Sequence, residues 1–162
     1  MKRDDFERLY EEHARPLLGF LVYRTGDVAL AEDILADAFE RVYGARRSFN
    51  RRRASEKTWI YTIALNCLRD HRRRAQAEVR ALERAGPPGL PADSTSMWQH
   101  IEARDALSRA LVTLSEEERE AVSLRYGADM TLPEIAKLTG EKLSTVQGRV
   151  YRALRKLGEE LE

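Results

Sequence analysis

The chain has 162 residues, of which 43% are apolar and 34% charged, with a formal net charge of +1. That length suits one or two small domains with modest cores. No stretch approaches the roughly 18 apolar residues of a membrane span, MKRDDFERLY does not read as a signal peptide, and the single cysteine excludes an internal disulfide. No alternating strand pattern is present, so the expected class is all-α. The charge is unevenly placed. Residues 1–45 carry six basic and ten acidic groups, a net of −4, whereas residues 46–74 carry ten basic and two acidic groups, a net of +8. An acidic surface beside a basic one implies two different partners.

In chain order, Phe6, Leu9, Tyr10, Leu17, Leu18, Leu21 and Val22 keep helical spacing, and Pro16 is expected to kink or interrupt that helix. Thr25-Gly26-Asp27 predicts a turn. A second helix over about Ala29–Ala45 buries Ile34, Leu35, Ala38, Phe39 and Val42 and turns Glu32, Asp33, Asp37, Glu40 and Arg41 outward. The basic loop RRSFNRRR spans 46–53. A third helix from Lys57 or Thr58 to about Arg74 buries Trp59, Ile60, Ile63, Ala64, Cys67 and Leu68, and places Tyr61, Thr62, Asn66, Arg69, Asp70 and Arg73 largely elsewhere. AGPPGLPADSTS, 85–96, holds three of the five prolines and cannot form regular helix. Following a charged helical tail at 75–84, it divides the chain into a domain over 1–75, a flexible linker over 76–100 and a domain over 101–162.

The second domain opens with an amphipathic helix marked by Ile101, Ala106, Leu107, Ala110 and Leu111. Ser115 and Glu118 form a capping box for a helix carrying Ala121, Val122, Leu124 and Tyr126, ended by Gly127. Thr131 and Glu134 form another box, with Pro133 in the first turn, where its missing N–H costs nothing. Leu132, Ile135, Ala136 and Leu138 make one apolar face before Thr139-Gly140 break the helix. The last helix buries Val146, Val150, Ala153, Leu154 and Leu157. Its other side carries Gln147, Gly148, Tyr151, Arg152 and Arg155, and from Lys142 to Lys156 there are five basic residues and no acidic one. Two helices across a tight turn, the second apolar on one side and basic on the other, read as a helix-turn-helix that enters a DNA major groove. The plainer reading is an amphipathic helical hairpin with a solvated basic face.

Catalytic signals are lacking. His13, His71 and His100 have no ligand spacing, Cys67 lies in an apolar helical context, and no nucleophile–base pair or phosphate-cradling loop stands out. The expectation is therefore no enzyme, no cofactor and no metal.

Four segments together resemble one family. GDVALAEDILADAF (26–39), TWIYTIALN (58–66) with Arg69-Asp70-His71-Arg72-Arg73-Arg74 after it, LSEEEREAVSLRY (114–126) and residues 131–157 resemble regions 2.2, 2.3–2.4 and 4 of the extracytoplasmic-function sigma factors, in that order. The resemblance implies two small helical domains and a cytoplasmic protein that gives bacterial core RNA polymerase its promoter specificity. It implies docking on polymerase through Glu32, Asp33, Asp37, Glu40 and Arg41. At the minus-ten element it implies base contact by Asn66 and phosphate contact by Arg69, Arg72, Arg73, Arg74, Arg51, Arg52 and Arg53; such contacts fix register and affinity without reading sequence. At the minus-thirty-five element it implies a surface of Ser144, Thr145, Gln147, Gly148, Arg149, Tyr151, Arg152, Arg155 and Lys156. Arginine can take guanine bidentately and glutamine adenine; Arg149, Arg155 and Lys156 are expected on phosphates. Tyr151 has two readings, contact with a thymine methyl or packing. The family also implies an anti-sigma partner.

Departures are specific. Glu141 and Lys142 stand where the family has an apolar residue and a capping serine or proline, which moves the expected start of the last helix to Ser144. Gln147 and Gly148 replace a common basic residue and serine, and Ala36 a frequent glutamine. A sigma-mimicking binder of anti-sigma factor and a conventional helix-turn-helix regulator remain as alternatives. The arginine clusters and Asn66 speak against the first, and the 26–74 block has no purpose in the second.

Overall fold

The computed structural model describes residues 2–85 and 106–161, and the predicted linker falls mostly outside them. All regular structure among the described residues is helical: α1 (Arg3–Thr25), α2 (Val28–Gly44), α3 (Glu56–Ala85), α4 (Ala106–Val112), α5 (Glu116–Val122), α6 (Leu132–Thr139) and α7 (Leu143–Leu161).

Helix α1 runs unbroken through Pro16, against expectation. A proline inside a helix costs about 3 kcal/mol. Leu17, Phe20 and Leu21 beyond it are nevertheless buried, as is Leu9 before it. Each such side chain gains about 1.5–3 kcal/mol on burial, so the three that follow Pro16 outweigh its cost. Gly26 closes α1 in the left-handed conformation at φ 71°, its N–H donating to Val22 O at 2.8 Å. Asp27 then caps α2 by accepting the Leu30 N–H.

Aromatic edges join α1 to its neighbours: Phe6 meets Tyr43 at 5.0 Å, Tyr10 meets Phe39 at 4.9 Å, and Phe20 meets Tyr61 of α3 at 5.4 Å. Tyr10, which keeps the helical spacing of the apolar residues, leaves much of its surface exposed. Tyr61 departs the other way. It is buried, and that burial pushes its phenol up to about 12. The core that holds Tyr61 continues into Leu124, Met130, Ile135, Val146 and Val150 of the C-terminal unit.

In the C-terminal unit, Ser115 and Glu118 exchange both capping-box bonds at 3.2 Å, and Thr131 and Glu134 repeat the pattern. After Val122 the helix widens into a π-helical turn, Ser123–Gly127, closed by Ala128 N–H donating to Ser123 O at 2.9 Å. The widened turn leaves Tyr126 exposed, although its spacing grouped it with the apolar residues, while Leu124 is fully buried. Asp129 at φ 54° reverses the chain into α6. Gly140, left-handed at φ 72°, ends that helix. Helix α7 begins at Leu143 rather than Ser144, because Thr145 and Val146 N–H both donate to Lys142 O. Ser144 therefore lies inside the first turn and is not its cap. Leu154 is exposed rather than buried. It sits beyond the stripe of Val146, Val150, Ala153 and Leu157 that faces the core.

A second cluster gathers Ala110, Leu111, Leu114, Val122, Ala153 and Leu157, with Tyr23 of α1 packed on it. Truncating Leu124 removes a side chain from the core both helical groups share. Leu124→Ala is expected to cost about 2–5 kcal/mol and to loosen the two groups together, seen as one shifted urea transition followed by far-ultraviolet circular dichroism.

Candidate functional site

Three surfaces carry the sequence-predicted residues. On α7, Ser144, Thr145, Gln147, Tyr151, Arg152 and Arg155 are exposed, and Tyr151 retains 69% of its accessible surface. Packing on the body of the protein therefore does not account for that ring. Gly148 and Arg149 are half-buried. A Cβ at Gly148 would stand 3.2 Å from the Arg152 guanidinium, so glycine lets that guanidinium fold close to the helix. Arg149 forms an ion pair with Glu141 across the turn, and Lys156 donates to both Glu118 oxygens at 2.9 and 3.1 Å. Burial pushes the Glu118 carboxyl up, but Lys156 and the Ser115 N–H together bring it below its ordinary value. Two of the expected phosphate-binding cations are thus already partnered. Glu141 was conspicuous in sequence only as a departure after the turn glycine; its partner lies eight residues along.

On α2, Glu32, Asp33 and Glu40 are exposed. Asp37 lies 2.8 Å from His71 Nε2, and Arg41 3.0 Å from Asp70. The face is therefore braced against α3, and Arg74 joins Asp37, Glu40 and Arg41 around one shallow depression. Arg41 and Arg73, bonded to the Asp70 carboxylate, hold it below the usual range.

On α3, Asn66 is exposed, Arg73 is bonded to Asp70, and Arg74 is exposed. Arg51, Arg52 and Arg53 sit in the preceding loop, Arg51 reaching Glu56 at 3.2 Å. From Glu56 to Arg72 the helix climbs about 24 Å, so this loop and the Arg72–Arg74 cluster form two separate basic patches. Trp59, expected in the core, is half-buried and stacks on Phe49 at 4.8 Å.

Sequence reasoning missed the feature that links α3 to the C-terminal unit. Glu116 Oε2 lies 2.6 Å from Arg72 and 2.7 Å from buried Arg24, and its Oε1 lies 3.4 Å from Arg119. One turn on, Glu120 pairs with Arg69 at 3.6 Å. Arg119 itself is buried and donates to the carbonyls of Leu111, Val112 and Leu114 at the end of α4. No single-sequence signal pairs residues this far apart; the acidic run 116–118 was visible only as a helix start.

Among the described residues, Glu12, His13 and Glu56 form one cluster with metal-ligand chemistry, but Arg8 donates to both of its carboxylates.

Burial pushes the Glu116 carboxyl up, yet Arg24, Arg72 and Arg119 outweigh it and hold the group below its ordinary value of 4.5. A carboxyl lowered in the folded state stabilises it above that ordinary value and ceases to do so as pH falls through the lowered one. Melting temperature is therefore expected to fall as pH drops below about 4.5, and Glu116→Gln should make that decline shallower in scanning calorimetry.

Two family models match the chain, Sigma-70 region 2 over residues 9–78 and Sigma-70, region 4 over residues 104–157. It is 32% identical over 158 residues to the ECF RNA polymerase sigma factor RpoE of Cereibacter sphaeroides, spanning 96% of this chain and 86% of that one. To the RNA polymerase sigma factor CarQ of Myxococcus xanthus it is 32% identical over 164 residues, spanning 97% and 89%. The fold is similar to that of the sigma factor RpoE from Bartonella quintana, solved in complex with the anti-sigma factor NepR, with a TM-score of 0.79 at 23% identity over 98% of this chain and 97% of that one. It is also similar to CnrH in complex with the cytosolic domain of CnrY, with a TM-score of 0.71 at 23% identity over 99% and 89%.

Proposed function

The chain belongs to the extracytoplasmic-function sigma factors of the sigma-70 family and directs promoter-specific transcription, and from that membership we propose how its three surfaces divide the work. Helix α2 docks on core RNA polymerase through Glu32, Asp33, Asp37, Glu40 and Arg41. Helix α3 takes the minus-ten element, and α7 reads the minus-thirty-five element as duplex. The protein performs no catalysis of its own and works in the cytoplasm.

The reading is carried by one observation: exposed Asn66 lies on the same helix as the basic run that begins at Arg69, while Ile60, Ala64, Cys67 and Leu68 bury the opposite side. A base can be read by such a group once it is unstacked, while guanidiniums hold the strand by its phosphates. On α7, Gln147, Tyr151 and Arg152 are presented together, a set able to take adenine, a thymine methyl and guanine. Asp37 and Arg41 are fixed by His71 and Asp70, so the docking face is held in shape before polymerase arrives. An anti-sigma partner fits the same reading, since the similar sigma factor RpoE from Bartonella quintana was solved in complex with the anti-sigma factor NepR. No helix among the described residues is long and apolar enough to cross a membrane.

Transcription from promoter libraries with purified core polymerase tests the whole. Specific start sites are expected only when the protein is added. Duplex binding without core binding or initiation would instead point to a conventional regulator. Asn66→Ala is expected to abolish those start sites on duplex templates and leave core binding unchanged. Arg152→Ala should weaken specific duplex binding by about 1–3 kcal/mol, measured by fluorescence anisotropy. A charge reversal, Glu40→Lys, should lower core-polymerase affinity in a pull-down titration without altering the melting curve.

A further inference from the structure

The acids of α5 sit on two of the arginines assigned above to DNA. Glu116 and Glu120 are four residues apart, one helical turn, and they face Arg72 and Arg69, three residues apart on α3. Each carboxylate therefore meets one guanidinium along matching helix surfaces. Arg24, buried behind them, and Arg119 on α5 itself also pair with Glu116. Arg72 and Glu116 are only one-third exposed, so their attraction is less screened than that of an open surface pair.

We infer that α5 is an internal stand-in for the DNA backbone: its carboxylates occupy Arg69 and Arg72 in the free protein, so that the nucleic acid and the C-terminal unit compete for the same guanidiniums. The inference rests on the reading of Arg69 and Arg72 as phosphate contacts. Its physical basis is that a row of anions on a helix and a row of phosphates make the same demand of an arginine, a planar fork of donors facing two oxygens. Asn66 is exposed and has no part in the clasp, which distinguishes masking of phosphate contacts from masking of base recognition. Releasing the guanidiniums requires α5 to leave α3. The shared apolar core holds these elements together as well, so a partner that draws the units apart exposes the arginines.

Phosphate contacts are independent of sequence, so a fluorescein-labelled, random-sequence single-stranded 20-mer is a sufficient probe. The full chain carrying Glu116→Gln and Glu120→Gln is compared with the unaltered chain by anisotropy, and its radius of gyration is measured by small-angle scattering. Both a larger radius and affinity at least about fivefold higher are expected, the lower end of ordinary intramolecular coupling. Glu117→Gln removes the same charge from an exposed neighbour and should change affinity less than about twofold; an equal gain there would reduce the effect to net charge and overturn the inference. Unchanged affinity in the double variant also overturns it. Adding Arg72→Ala to that variant then locates the fault. If Arg72→Ala weakens binding, the arginine holds DNA but was never masked; if it does not, the DNA reading of Arg72 has failed. Should the double variant prove unstable by circular dichroism, Glu116→Gln alone is expected to raise affinity by a smaller factor in the same direction, and no rise would overturn the inference.

Discussion

The structure depends on the apolar seam between α1, α3 and the turn that follows α5. Phe20 and Tyr61 meet edge to face, a Cβ at Gly127 would stand 3.6 Å from the Phe20 ring, and Leu124 and Met130 belong to the same core. Burial of this kind is non-directional and scales with area, so it draws the helical groups together without specifying their angle. Direction comes from the polar groups at its margin. Arg24, Arg69 and Arg72 pair with Glu116 and Glu120, which adds direction to that arrangement.

These two kinds of force divide adhesion from alignment. Salt and pH act on the ion pairs and leave most of the apolar area untouched. The consequence is a joint with two separately adjustable parts: salt or acid weakens the charged margin, and separation of α5 from α3 frees its arginines. On α2 the arrangement is different, because the Asp37–His71 and Arg41–Asp70 pairs lie within one helical group and stiffen a surface that stays outside.

Most of the local structure was readable from the residues. Capping boxes at Ser115 and Thr131, the turn at Gly26 and the stop at Gly140 each arise from chemistry confined to a few neighbouring positions. What could not be read has a common cause. Tyr61 reads as lying outside the core because the spacing of one helix does not reveal that Phe20 of α1 packs on that side. Pro16 reads as a kink or interruption of α1 because the packing that overrides it comes from other helices. Tyr126 and Leu154 were grouped with buried residues on simple periodicity; the π turn changes the spacing before one, and the other lies just past the buried stripe. The basic face of α7 is legible from helical period alone, whereas the docking and minus-ten residues rest on the resemblance. Their partners, Glu141, Glu118, Glu116 and Glu120, could not.

The two pairings on α7 alter how the basic helix interacts with an ionic atmosphere. Five cations lie between Lys142 and Lys156, but Arg149 and Lys156 each carry a carboxylate partner. Only cations that neutralise phosphates release condensed ions from the duplex. If all five did so, log affinity would fall with log salt at a slope of about −4.5, whereas Lys142 and Arg155, with Arg152 turned to a base, give about −1.8. The built-in acids therefore make this helix comparatively indifferent to ionic strength, and a larger share of its affinity for duplex falls to the base-facing groups, Gln147, Tyr151 and Arg152.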